Sequence, residues 1–159
     1  MSTKPLKIAI GSDHRGNTAA NQIHETLKNL GHEGWIVDEC KDQPCDYPEK
    51  AWQVGQEVAS GKADRGILIC GTGIGMSIAA NKIDGLRAAL VHDELTAQLS
   101  RSHNDANILC LSADLLGARL MDKIVEVWTK TPFDGGRHER RIQKIAEMEL
   151  GKDPSTANA

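Results

Sequence analysis

Residues 66–82 read GILICGTGIGMSIAANK, and this stretch decides how the chain is read. Its first five residues show no polar face at a two-residue repeat, the pattern of a strand buried on both sides. Gly71, Gly73 and Gly75 then alternate with other residues, and a run of small and apolar residues follows with the character of a helix. Two familiar nucleotide loops are excluded by spacing. A dinucleotide turn needs G-x-G-x-x-G after the first strand, whereas Met76 occupies the third glycine's place, and a Walker loop needs G-K-[ST]. What remains is their shared physics: glycines let backbone N–H groups converge at a helix start, where an anion or a developing oxyanion is stabilised. Cys70 stands at the lip of this loop, and a thiol beside a helix N-terminus ionises more readily than a buried one and can act as base or nucleophile. The plain alternatives are a ligand-free turn and a small apolar residue ending a strand. Cys110, between Leu109 and Leu111, exemplifies the second.

The same pattern repeats outward from this stretch. Short apolar runs at 7–10, 34–38, 66–70, 87–91 and 107–111 alternate with segments of helical spacing. The helical positions are Ala20, Ile23, Leu27 and Leu30; Ala51, Val54 and Val58; Leu95 and Leu99; and Leu116, Leu120, Ile124 and Val127. Strand and helix alternating five times predict an α/β domain with three layers: a Rossmann-like, five-stranded parallel sheet between helices, with a C-terminal helix from Arg137 to about Leu150. At 159 residues and 40% hydrophobic content, residues 1–150 suit one domain, and GKDPSTANA at 151–159 is expected to be disordered.

A net charge of -3 gives no basic field, which argues against nucleic acid and anionic membrane as partners and leaves room for a small phosphorylated ligand at a local site. No apolar run reaches the ~20 residues of a membrane span or forms a signal-peptide core, so a cytoplasmic protein is expected. Cys40, Cys45, Cys70 and Cys110 are too few for a disulfide framework, and free thiols are the expectation. Cys40 and Cys45 have no second pair at ligand spacing, so no metal is expected.

Ligands of open parallel sheets bind beyond the carboxyl ends of the strands, which directs attention to GSDHRG after the first strand, CGTGIGMS after the third and SADLLG after the fifth. Two further signals lie elsewhere. In GGRHERR, Arg137 and Arg141 share a face with Lys144 and crowd cations at an electropositive helix start, which favours a phosphate there over a merely solvated basic face. His103 and Asn104 precede the fifth strand, at its amino end, and a five-residue strand spans roughly 17 Å. His103 therefore does not reach Cys70 in its own subunit. Either these residues are idle, or a two-fold partner brings its far edge to the glycine loop and two composite sites form.

GSDHRG, DYP, GILICGTGIGMSIAANK, AQLSRSHNDAN and GGRHERR, in this order and spacing, resemble the type B ribose-5-phosphate isomerase family, whose relatives act on galactose 6-phosphate and allose 6-phosphate. The resemblance runs from Lys7 to about Glu149. It implies a Rossmann-like homodimer, in some members paired into tetramers, that interconverts an aldose phosphate and its ketose without metal or organic cofactor. It further implies Cys70 as the base that moves a proton between C2 and C1 through an enediolate. Thr72 and the backbone of Gly71, Gly73, Ile74 and Gly75 would hold the enediolate oxygens. His103 would assist ring opening, Asn104 orient the sugar and Asp13 handle hydroxyl protons. His14, Arg137 and Arg141 would hold the phosphate, and Tyr47 would line the sugar pocket. Asp13 as a helix cap and Tyr47 as a turn residue are the structural alternatives. One position departs from the family: Asp114 stands where relatives usually present a phosphate-contacting arginine. Arg15 follows His14 where many relatives have a small or apolar residue, so Arg15 is expected to replace the missing cation or to pair with Asp114. A different sugar phosphate, a non-catalytic sugar-phosphate-binding protein and an enzyme needing a related partner chain are the competing readings.

Overall fold

The computed structural model describes residues 4–40 and 43–156. Five strands, β1 (Lys7–Ser12), β2 (Glu33–Ile36), β3 (Arg65–Cys70), β4 (Ala88–Leu90) and β5 (Ile108–Ser112), form one sheet in the order β2-β1-β3-β5-β4. Every pairing is parallel. The helices are α1 (Asn17–Asn29), α2 (Tyr47–Ala59), α3 (Ile74–Ala80), α4 (Glu94–Ser102), α5 (Ala118–Lys130) and α6 (Arg137–Glu149). The three-layer α/β fold is thus the one the alternation predicts, with β1, β3 and β5 adjacent at the centre.

Alternate residues of the central strands point to opposite layers. Ile8, Ile10, Ile67, Ile69, Leu109 and Leu111 pack against α1, α4 and α5. Ala9, Leu68, Cys70, Ile108 and Cys110 face α2 and α3. That double burial is why these strands read as unbroken apolar runs. It also fixes register, because a one-residue slip would exchange the two faces. The parallel pairing places the loops after β1, β3 and β5 side by side: Asp13 N–H donates to Ile69 O at 3.1 Å and Ala113 N–H to Cys70 O at 2.9 Å.

Several details differ from the sequence reading. β2 stops at Ile36, because Asp38 turns the chain with φ 44°. α4 does not bury the leucines that suggested it: Leu95 is 62% exposed and Leu99 36%, while Ala97, Ser100, Arg101 and Ser102 are buried. Its start is set instead by a capping box in which Asp93 accepts from Thr96 N–H at 2.6 Å. α6 likewise leaves Ile145 exposed and buries only His138. The expectation of free thiols fails for Cys40 and Cys45, which form a disulfide. The chain folds back after the Asp38 turn and brings their Cα atoms to 6.1 Å, a proximity the linear spacing does not reveal. Cys70 and Cys110 are free and buried. Residues 151–156 form turns tied to α6, with Lys144 Nζ donating to Pro154 O at 2.8 Å; residues 157–159 of the expected disordered tail lie outside the described residues. No helix among the described residues is long and apolar enough to cross a membrane.

Candidate active site

Cys70 is the last residue of β3 and only 5% exposed. Gly73 N–H donates to its Sγ at 3.1 Å, which fixes the sulfur against the turn. The turn is possible because Gly73 takes φ 76°, a left-handed conformation unfavourable to residues with a Cβ. Ile74 N–H donates to Thr72 Oγ1 at 3.3 Å, and the exposed Thr72 hydroxyl keeps its own hydrogen for donation. Gly71 O is held twice, accepting from Ser112 Oγ at 2.6 Å and from Asp114 N–H at 3.1 Å. The ring of Tyr47, the first residue of α2, lies directly on Gly75, where a Cβ would come within 2.6 Å of Tyr47 Cε2.

The β1 loop supplies the opposite wall. Asp13 Oδ1 accepts from Arg15 N–H at 2.9 Å and Gly16 N–H at 3.1 Å, which closes the loop before α1, while Oδ2 makes none of these bonds. Asp13 is not the helix cap weighed as its alternative, because α1 begins after Gly16 with no side-chain cap. Arg15 meets Asp114 across Gly71, with its Nη2 2.6 Å and Nε 3.1 Å from Asp114 Oδ2. Of the two expectations for Arg15, pairing with Asp114 is the arrangement found. Hydrogen bonding and charge from Asp114 raise the Arg15 pKa further above its ordinary value. His14 is exposed beside them. Cys110 is fully buried on the same sheet face, and desolvation pushes its thiol pKa up.

Cys70, Thr72, the glycine loop, Asp13, His14, Arg15 and Tyr47 therefore converge at the carboxyl edge of the sheet. His103, Asn104, Arg137 and Arg141 do not join them. His103 caps the end of α4, and Asp134 N–H donates to Ser102 O at 3.0 Å, so the start of α6 is stitched to the same amino-terminal edge. Asn104 offers its carbonyl to Arg87 Nε at 3.0 Å. Arg137 and Arg141 are exposed. Between the groups lies the length of β5, as the strand arithmetic anticipates.

Two residues with local roles escaped the sequence reading. Ser112 anchors Gly71 from the neighbouring strand; its only signal is a polar residue ending an apolar run. His138 stacks on His103 with ring centroids 4.2 Å apart and planes at 6°. Helical spacing drew attention to Arg137 and Arg141 and away from the residue between them. One nitrogen from each ring and a carboxylate oxygen of Asp134 lie within 4.8 Å of one another. Parallel stacked rings direct their lone pairs side by side and not toward one ion, so this is not the geometry of a metal centre.

A parallel α/β domain that offers a free thiol and a cradle of backbone N–H groups at its switch edge, with no nucleotide turn, is a scaffold for enolising a small substrate. Comparison with known proteins makes the class definite: it is a sugar-phosphate aldose-ketose isomerase. The chain belongs to the Ribose/Galactose Isomerase family, whose pattern matches residues 8–145. It is 47% identical over 91% of its length to YwlF of Bacillus subtilis, described as a sugar phosphate isomerase with no sugar named, covering 97% of that protein. Ribose-5-phosphate isomerase B of Escherichia coli is 43% identical, with 90% of this chain and 96% of that one covered. D-erythrulose-4-phosphate isomerase of Pectobacterium atrosepticum is 38% identical, with 91% and 95% covered. Among solved structures, ribose-5-phosphate isomerase B of Clostridium thermocellum superposes with a TM-score of 0.89 at 46% identity, covering 92% of this chain and 99% of that one. The Mycoplasma genitalium enzyme with bound ribulose-5-phosphate gives 0.85 at 44% identity, covering 90% and 95%.

Proposed function

We propose that this isomerase interconverts ribose 5-phosphate and ribulose 5-phosphate through a cis-enediolate, with Cys70 as the base and no cofactor. The observation that carries this reading is the Cys70 sulfur, held by Gly73 N–H at the head of the glycine loop. In the open-chain aldose the sulfur takes the C2 proton, the electron pair forms the C1–C2 double bond, and the C1 oxygen becomes an oxyanion. Cys70 then returns the proton to C1. Gly73 N–H is engaged by the sulfur and Ile74 N–H by Thr72 Oγ1, so the oxygens fall to the Thr72 hydroxyl and the N–H groups of Gly71, Thr72 and Gly75. Asp13, anchored through one carboxylate oxygen, has the other for moving protons between the C1 and C2 oxygens.

The opposite placement of the two residue groups supports a homodimer with shared sites. The partner's amino-terminal edge would bring a histidine for ring opening, equivalent to His103, an orienting amide equivalent to Asn104, and the guanidinium pair equivalent to Arg137 and Arg141 for the phosphate, facing His14. The exposed Ile74 and Ile78 on α3, beside the loop, suit an interface. Further pairing into tetramers is compatible with the same contacts. A cytoplasmic enzyme is the reading that fits.

A second reading, a shorter substrate such as a tetrose phosphate, draws on the Arg15–Asp114 pair and on the relative that acts on erythrulose 4-phosphate. The test is turnover of ribose 5-phosphate in the presence of chelator, by the purified chain and by Cys70→Ala, with allose 6-phosphate and erythrose 4-phosphate as comparison substrates. Cysteine-dependent turnover of the pentose is expected. Turnover that survives Cys70→Ala, or that requires metal, would defeat the mechanism, and activity confined to a comparison sugar would move the substrate assignment.

A further inference from the structure

His138 is buried, with 7% exposure, at the start of an otherwise exposed helix, and the chemistry above makes no use of it. Its ring lies flat on His103, 4.2 Å between centroids and 6° between planes. Both rings are held by their backbones: His138 N–H donates to Gly135 O at 3.1 Å, His103 N–H to Leu99 O at 2.9 Å, and Asp134 N–H to Ser102 O at 3.0 Å joins the two elements. We propose that His138 is a positioning residue for His103, a flat imidazole platform that fixes the His103 ring plane. The proposal rests on the reading of His103 as the ring-opening residue.

The surroundings of His138 favour its neutral form. Arg137 Nε donates to His138 Nε2 at 3.4 Å, so that lone pair faces a cation and not a proton. The charged and titratable groups facing the ring are His103 from α4, Arg137 and Arg141 from α6, and Asp134 from the preceding loop. Burial, then His103, Arg137 and Arg141, lower the His138 pKa, and only Asp134 opposes them. Furanose opening needs a proton donor: protonated His103 gives its proton to the ring oxygen as the bond from C1 to that oxygen breaks. The proton released from the C1 hydroxyl then restores the imidazolium, so His103 ends as it began and the sugar is left as the aldehyde.

The test separates ring opening from enolisation. Ribulose 5-phosphate has no free hydroxyl that closes a furanose on its ketone, so exchange of its C1 hydrogen in D2O, followed by NMR, needs the Cys70 chemistry but no ring step. His138→Ala is expected to lower conversion of ribose 5-phosphate on the order of tenfold or more while leaving C1 exchange within about twofold of wild type. His138→Phe keeps a flat, non-titrating ring under His103 and is expected to restore conversion to within about threefold. Equal loss of conversion and exchange in His138→Ala, no loss of either, or a His138→Phe enzyme as impaired as His138→Ala would overturn the proposal. A wild-type enzyme inactive on ring-forming aldoses would remove the step His138 is proposed to serve. Persistence of C1 exchange in Cys70→Ala would instead overturn the base assignment, a separate failure.

Discussion

Replacing Gly73 by alanine tests the glycine loop most directly, because two separable effects act at one position. Gly73 sits at φ 76°, and a Cβ there carries a left-handed penalty of about 1–2 kcal/mol. The same Cβ would lie 2.6 Å from Leu90 Cδ1, 3.0 Å from the carbonyl carbon of Leu111 and 3.1 Å from its oxygen. Leu90 can rotate away. The Leu111 backbone cannot, since it is paired within the central strand β5, so overpacking adds roughly 1–3 kcal/mol. The total is about 2–5 kcal/mol, equivalent to ~4–20 °C in Tm for a chain of this size. Gly31 is the control: its φ is 81° but nothing lies within 4 Å of an added Cβ, so Gly31→Ala carries only the backbone penalty, about 1–2 kcal/mol. Urea unfolding of both variants, with oligomeric state checked by gel filtration, measures the difference. Any shift of Gly73 also withdraws its N–H from the Cys70 sulfur, so Gly73→Ala should lose kcat well beyond its loss of folded protein, while Gly31→Ala should retain it. A Gly73→Ala enzyme as stable as Gly31→Ala, with unchanged kcat, would refute the claim that this loop's packing sets the position of the sulfur.

Three further outcomes are expected. Arg15→Ala should raise KM for the sugar phosphate by about tenfold with little change in kcat, because it removes a cation and leaves Asp114 unpaired beside Gly71; adding Asp114→Asn should recover much of the loss, and an unchanged KM in steady-state kinetics would remove Arg15 from substrate binding. Gly75→Ala should push the Tyr47 ring outward, and since that ring is already 41% exposed the stability change should stay under about 1 kcal/mol while KM rises; thermal unfolding beside KM measurement separates the two. His32 is 9% exposed and its Nδ1 accepts from Leu6 N–H at 3.3 Å, and burial, followed by the charges of Arg65 and Lys130, lowers its pKa. With the native pKa below the unfolded one, the unfolded chain binds the extra proton. Stability is therefore complete above about pH 6.5 and declines as pH falls from there toward the native pKa. Urea midpoints measured across pH 5 to 7.5 should show that slope, and His32→Gln should flatten it.

The alternation of apolar runs with amphipathic segments determined the α/β class, because burial of a parallel strand on both faces is written locally in its residues. Gly71, Gly73 and Gly75 after β3 were legible for the same reason: the left-handed turn at Gly73 is met within a few residues of chain. The separation of His103 from Cys70 also followed from the sequence, since strand direction and length are enough to assign each loop an edge.

The tertiary structure alone decided the contacts between distant positions. Arg15 and Asp114 are 99 residues apart in sequence and meet because β1 and β5 both flank β3, a strand order that no local pattern specifies. His138 lies 35 positions after His103 and reaches it because α5 returns the chain to the edge where α4 ends. The exposure of Leu95 and Leu99 and the joining of Cys40 to Cys45 arose in the same way. Periodicity reports which residues share a face, but what covers that face is set by packing between elements, and the energy of such contacts belongs to pairs that the linear sequence does not place together.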